Sequence, residues 1–342
     1  MSRLIIVEPT VYGAMVAMTV DGRLEDLLID APDDQHAMEE IHLVRVKRII
    51  RNQGGAHVKL GDGGTGFLRD ARGLKEGQLV TAQVSGLAGP GKATPMTASP
   101  LFRGRYVILT PGASGLNVAR SLKDKDERTR LAAIAEGAGL DSAIVRSRAD
   151  GADEASILED IEALKAMKEE VASGASARTL DCLAAAPGAE IIAWREWPEP
   201  DEVIQEDGAF DRLGLWDQID ALRSPRAELN GGGWMAIEPT AAMIAVDINT
   251  GADLSPQAAA TANLSACADL PRQLRLRGLG GQITVDFAPM RKSDRKAVEG
   301  ALQHAFKSDP VQTTLAGWTP LGNFELTRKR ERRPFSEVLS DV

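Results

Sequence analysis

Ile244-Ala245-Val246-Asp247-Ile248-Asn249-Thr250-Gly251 and Ile283-Thr284-Val285-Asp286-Phe287 decide how this chain is read. Each is a short apolar run of strand type with one aspartate near its end. An ionised carboxylate in such a setting is costly unless it is paired or metal-bound. Neighbouring strands of one sheet would bring both carboxylates to the same rim. One or two carboxylates, completed by waters or substrate phosphates, are the ligand pattern of Mg²⁺. Asn249 falls two residues after Asp247, on the same strand face, where it could orient a phosphate or an attacking water. The plainer alternative is that each aspartate caps a local turn or helix.

Working outward, 234–238 and 243–248 are predicted strands joined by Pro239-Thr240. Residues 255–277 have helical character, with Pro256 in the first turn, where proline is tolerated. Pro271 is expected to kink or split that helix, and Gly278 with Gly280-Gly281 to end it. A strand at 282–287, a helix at 291–307 and strands at 311–315 and 324–327 complete an α/β layered pattern. Arg272 and Arg275 share a helix face by their spacing. They can complement the C-terminal end of the helix dipole or clamp a phosphate bidentately.

Towards the N-terminus, 4–8, 14–19 and 27–30 read as a β-meander with an Asp21-Gly22 turn, and 31–40 as a polar connection. Residues 41–85 carry short strands between closely spaced glycine turns, the pattern of a small barrel. His57 and Phe67 are expected on neighbouring barrel strands. There an aromatic beside a basic group suits base stacking, although a core phenylalanine fits the pattern as well. Residues 86–95 read as a loop and 106–109 as a strand. Helices are expected at 124–139 and 153–171, the latter with Asp153 as N-cap and Gly174 as its stop. A second helix is expected at 172–188, a strand at 191–194, and helices at 201–209 and 213–222.

The 342 residues include 40 Lys/Arg and 49 Asp/Glu, a net charge of −9. That argues against a strongly basic nucleic-acid binder. The balance is uneven, however. Residues 231–342 carry 13 basic and 12 acidic residues, whereas 1–230 carry 27 and 37. The basic residues of the last third cluster at 272–277, 291–296 and 328–333. No apolar run approaches the roughly 20 residues of a membrane span, and the N-terminus lacks a signal-peptide core. Cys182 and Cys267 have no metal spacing and suggest no disulfide, so a reducing cytoplasm is expected. His36, His42 and His304 show no partner spacing and read as incidental.

With these residues in view, the chain resembles the ribonuclease E/G family of bacterial endoribonucleases. The blocks Asn230-Gly231-Gly232, 245–251, 272–281, Val285-Asp286-Phe287, 295–299 and 324–330 follow the family pattern in order. The resemblance implies an α+β multidomain fold. In it, an RNase H-like domain (1–40 and 86–215, trimmed) carries an inserted S1/OB barrel (41–85), and a DNase I-like catalytic subdomain (216–335) follows. It further implies that Asp247 and Asp286 hold Mg²⁺, with Mn²⁺ as an alternative, and that Asn249 assists. A metal-activated water would then cleave single-stranded RNA, leaving 5′-phosphate and 3′-hydroxyl ends. His57, Phe67, Lys92, Arg272 and Arg275 would contact RNA.

Some departures are legible. His57 stands where the family has an aromatic. Arg146-Ser147 fits the family's 5′-monophosphate-sensing Arg–Thr pair with serine for threonine, while the later sensing arginine falls near Gln312. The family's Cys-Pro-x-Cys zinc-link does not occur, so an oligomer, if formed, is not expected to be zinc-linked. A C-terminal scaffold tail is likewise not expected. The alternatives are an RNA-binding member with weak or no nuclease activity, and a phosphoesterase acting on DNA or a small phosphorylated molecule.

Overall fold

The computed structural model describes residues 2–30, 36–89 and 91–338. It is a mixed α+β structure with two compact units, one comprising 1–32, 188–193 and 198–342, the other 33–187 and 194–197.

The first unit contains two sheets. In one, Arg3–Thr10, Gly13–Val20 and Arg23–Ile29 form the expected meander, and Glu202–Gln205 adds to it in parallel. The segment 201–209 was expected to be helical. Its Val203-Ile204 pair instead takes the free edge of the Arg3–Thr10 strand, and only Ala209–Arg212 is helical. The other sheet has six strands. In spatial order they are Arg226–Glu228, Trp234–Pro239, Ile244–Asn249, Gly281–Asp286, Phe324–Arg328 and Thr313–Trp318. The Ile244–Asn249 and Gly281–Asp286 strands are parallel, joined by helix Pro256–Leu276 as a crossover. Strict alternation buries one sheet face, including Met235, Ile237, Val246, Ile248, Ile283, Val285 and Leu326, in a shared core with Ala262, Leu270 and Leu274 of that helix and Leu302 of helix Arg295–Lys307. Ser255 caps the crossover helix through the Ala258 amide. The helix runs unbroken through Pro271, which is buried within it; apolar packing along both flanks outweighs the lost backbone bond. Gly278 ends it at φ +63, and a Cβ there would collide with the Arg333 carbonyl oxygen.

In the second unit, Ile41–Ile50, Gly55–Lys59, Thr65–Leu68, Thr94–Thr97 and Leu79–Val84 close into a five-stranded barrel, because the first strand also pairs with the last. Val44, Val58, Leu60, Leu68, Ala82 and Met96 fill it. The closing strand Thr94–Thr97 begins within the segment read as a loop, 86–95. Pro95 and the glycines before it masked a strand whose role is set by a partner far away in sequence. A second sheet orders Gly115–Val118, Ser142–Val145, Val107–Leu109 and Phe102–Arg103. It shares a core with helices Lys125–Gly137 and Glu154–Ser176, whose Leu131, Ile157 and Ile161 are buried. Asp124 and Asp153 cap those helices through backbone amides. The second helix passes Gly174 and ends at Ser176. The helix expected at 172–188 is therefore partly its continuation and partly a strand, Cys182–Ala184, paired with Ile41–Ile50. The strand expected at 191–194 is helical, within Ala189–Glu196. No helix among the described residues is long and apolar enough to cross a membrane.

Candidate active site on the open sheet face

The six-stranded sheet buries one face and leaves the other open. Ala245, Asp247 and Asn249 alternate with buried Val246 and Ile248, so they project to the open side. On the parallel neighbour, Thr284 and Asp286 do the same. The register places Asp247 directly beside Asp286. Asn249 Nδ2 donates to Asp247 Oδ2 at 2.8 Å. No ion pair reaches either aspartate among the described residues. Like charges side by side on adjacent strands are unfavourable, and a shared cation relieves them.

The local sequence builds this rim. Gly231, Gly232 and Gly233 all have φ between +86 and +92, forming the turn into Trp234–Pro239. A Cβ on Gly233 would run into the Asn249 carbonyl oxygen, so the glycine permits the backbone approach that seats Asn249.

Two residues that sequence reasoning passed over share the face. Trp234 is the register partner of Asn249. Arg226 lies 4.8 Å over the Trp234 ring, and its Nε donates to Glu228 at 2.6 Å. The missed signal was the alternation of 234–238, which puts Trp234 and Ala236 opposite the buried Met235 and Ile237.

The arginines expected to clamp phosphate are differently engaged. Arg272 Nε lies 3.6 Å from Glu25 and 3.5 Å from Asp269. Arg275 lies 3.3 Å from Asp26 through Nε, and also pairs with Asp309. Arg328 reaches Asp309 at 2.9 Å, and Arg332 pairs with Asp26. Asp26 and Asp309 are almost fully buried. The clusters at 272–277 and 328–333 thus supply guanidiniums to a buried ionic network. Arg272 and Arg275 brace the unit with bonds that sequence spacing cannot distinguish from a phosphate clamp.

In the barrel unit, His57 and Phe67 are cross-strand neighbours with ring centroids 5.2 Å apart, edge to face, both half-buried. Lys92 is exposed on the connection leading to the closing strand. Arg146 donates to the Gly104 carbonyl at 2.6 Å and pairs with Glu196, and Ser147 opens a short 3₁₀ turn. Burial pushes the Glu196 carboxyl up, but Arg146 and Arg195 more than offset it and hold it below its usual range. The Arg146 guanidinium is therefore already committed to a carboxylate.

The chain matches the Ribonuclease E/G family over residues 102–202 and 199–331. Ribonuclease E of Nostoc sp. (strain PCC 7120) is 28% identical over 391 residues, covering 96% of this chain and 56% of that protein. Ribonuclease G of Escherichia coli (strain K12) is 26% identical over 404 residues, covering 99% and 82%. Ribonuclease E of Synechocystis sp. (strain PCC 6803) is 26% identical over 377 residues, covering 92% and 55%. The chain spans little more than half of these two ribonuclease E proteins and most of the ribonuclease G. Matched in order across the open-face strands, the crossover helix and the sheet beyond, the chain belongs to the Ribonuclease E/G family.

Proposed function

We propose that the chain is an endoribonuclease of RNA processing or decay that cleaves single-stranded RNA at a Mg²⁺ site formed by Asp247 and Asp286. The observation that carries the reading is their register: neighbouring strands, the same row, the same open face. Two carboxylates beside a neutral amide make a hard oxygen donor set, which fits Mg²⁺ or Mn²⁺. When bound, the ion supplies activation of the attacking water and charge neutralisation at the phosphodiester, leaving 5′-phosphate and 3′-hydroxyl ends. Asn249 holds the Asp247 carboxylate in place. Trp234 offers a base a stacking surface beside the acids, and His57, Phe67 and Lys92 offer a second contact on the barrel. In this reading the barrel, extended through Thr94–Thr97, is the S1 element, 216–335 is a DNase I-like catalytic part and 1–40 with the rest of 86–215 is RNase H-like. The enzyme works in the cytoplasm.

Trp234→Ala is expected to weaken RNA binding by roughly tenfold, within the 1–3 kcal/mol of one stacked base. Fluorescence anisotropy with a labelled oligonucleotide checks this, and unchanged affinity would remove Trp234 from the site.

The function is tested by incubating the protein with matched 5′-monophosphate and 5′-hydroxyl RNAs, with Mg²⁺ or with EDTA. Cleavage with Mg²⁺ and none with EDTA is expected. Comparable rates on the two RNAs are also expected, because Gln312 lacks the sensing charge and Arg146 is occupied by Glu196. A strong monophosphate preference would overturn the second expectation. The commitment of Arg272, Arg275, Arg328 and Arg332 to internal ion pairs favours one competing reading, an RNA-binding member with weak or no nuclease activity. RNA retained without a Mg²⁺-dependent product would decide for it.

A further inference from the structure

The histidines that looked incidental in the sequence meet in the barrel unit. His36 Nδ1 lies 3.0 Å from Glu40 Oε2, and His42 Nε2 lies 2.8 Å from the same oxygen. The ligand-type atoms of all three residues fall within 4.8 Å of one another. Glu40 Oε1 is pinned separately, accepting the Ala37 amide at 2.8 Å, so Oε2 is left to face the imidazoles. The other nitrogen of His36, Nε2, lies 3.2 Å from Asp62 Oδ2. His42 is buried, His36 and Glu40 are mostly so, and the group opens onto a cleft lined also by Gly61, Asp62 and Cys182.

The hydrogen-bond count at His36 is the informative point. A neutral imidazole has one N–H and one lone pair. Here both ring nitrogens face carboxylate oxygens, so in the neutral ring one of them presents a lone pair to an anion, a conflict relieved by a proton or by a bound cation. A cation among His36 Nδ1, His42 Nε2 and Glu40 Oε2 removes that conflict. His36 Nε2–H then donates to Asp62, which fixes the tautomer and turns the Nδ1 lone pair inward. A carboxylate behind a ligating histidine is the usual outer support of a metal site.

We propose that His36, Glu40 and His42 form a second, separate metal site in the barrel, for a borderline divalent ion of the Zn²⁺ class. Two imidazoles and one carboxylate select that class over Mg²⁺. Bond lengths of about 2.0–2.2 Å in tetrahedral geometry set ligand atoms about 3.3 Å apart. The two contacts to Glu40 therefore need to widen only slightly. Three protein ligands would leave a fourth position for water, which the adjoining cleft could supply. The site ties the connection carrying His36 and Glu40 to the barrel strand carrying His42. It is independent of the Mg²⁺ site and lies within one chain, unlike a zinc-link between subunits.

The test uses the metal-stripped full chain titrated with Co²⁺, read by visible absorption, and with Zn²⁺, read by calorimetry. One equivalent of Co²⁺ in a low-symmetry, strongly absorbing site, displaced by Zn²⁺, is expected. His36→Ala with His42→Ala should abolish it. Asp62→Asn alters a side chain that is largely exposed, so the fold is kept, and should weaken binding by roughly 10–100-fold. Zn²⁺ should raise the melting temperature of the native chain and not that of the histidine double variant. An Asp247→Asn/Asp286→Asn double variant should keep the strongly absorbing Co²⁺ spectrum unchanged. Absence of a saturable Co²⁺ spectrum, or equal binding by the Asp62→Asn variant, overturns the proposal.

Discussion

Asp247→Asn and Asp286→Asn are each expected to slow Mg²⁺-dependent cleavage of an A/U-rich single-stranded RNA by at least ~10²-fold, while leaving thermal stability unchanged or slightly raised. The activity loss follows from the donor set, since each substitution replaces an anionic ligand by a neutral amide. The stability expectation follows from the sheet. Both side chains project from the open face, so neither substitution opens a cavity. Each removes one of two like charges held side by side by the strand register, a relief of up to about 0.5 kcal/mol. Asn at 247 can still accept the Asn249 amide through its own carbonyl. Loss of activity without loss of stability separates a catalytic role from a structural one. Unchanged cleavage by both variants would remove the aspartates from the mechanism. A clear drop in melting temperature would mean that they hold the fold instead.

The opposite signature is expected at Asp26. Asp26→Asn should destabilise the unit by about 3 kcal/mol or more, since removing one partner of a buried ionic network leaves the others uncompensated. The side chain is buried against Arg275 and Arg332. Burial pushes the Asp26 carboxyl up, yet those two guanidiniums outweigh it and hold its pKa below the ordinary 3.8. A carboxylate whose pKa is lower in the folded state adds stability above its unfolded pKa. That stability is lost as the pH falls through the folded value. Acid should therefore weaken the native protein below about pH 4, and the Asp26→Asn variant should show a shallower dependence there. Urea unfolding followed by tryptophan fluorescence between neutral pH and about pH 3 measures both effects. A variant as stable as the native chain, with the same acid dependence, would show that the network contributes nothing net.

The sequence determined much of the open-faced six-stranded sheet. Alternation of apolar and polar residues in 244–249 and 281–286 is local: it put Asp247 and Asn249 on one face of their strand and Asp286 opposite Val285 on its own, while the pairing that sets Asp247 beside Asp286 came from the fold. Capping at Asp153 and Ser255 is equally local, because each side chain bonds an amide three residues on. Hydrophobic patterning likewise reached the N-terminal meander and most of the barrel. The tertiary structure decided whatever depends on a partner distant in the chain. Glu202–Gln205 became a strand because the Arg3–Thr10 edge was open to it, and Thr94–Thr97 because the barrel needed closure. Pro271 stayed within its helix because buried packing on both sides held it. Charge was the least legible feature. A run of arginines looks the same in sequence whether it faces a phosphate or a buried carboxylate, and Asp26 and Asp309 lie far from the arginines they neutralise. His36 and His42 looked incidental for the same reason. Their common partner, Glu40, becomes one only when the chain folds the two rings onto a single carboxylate oxygen.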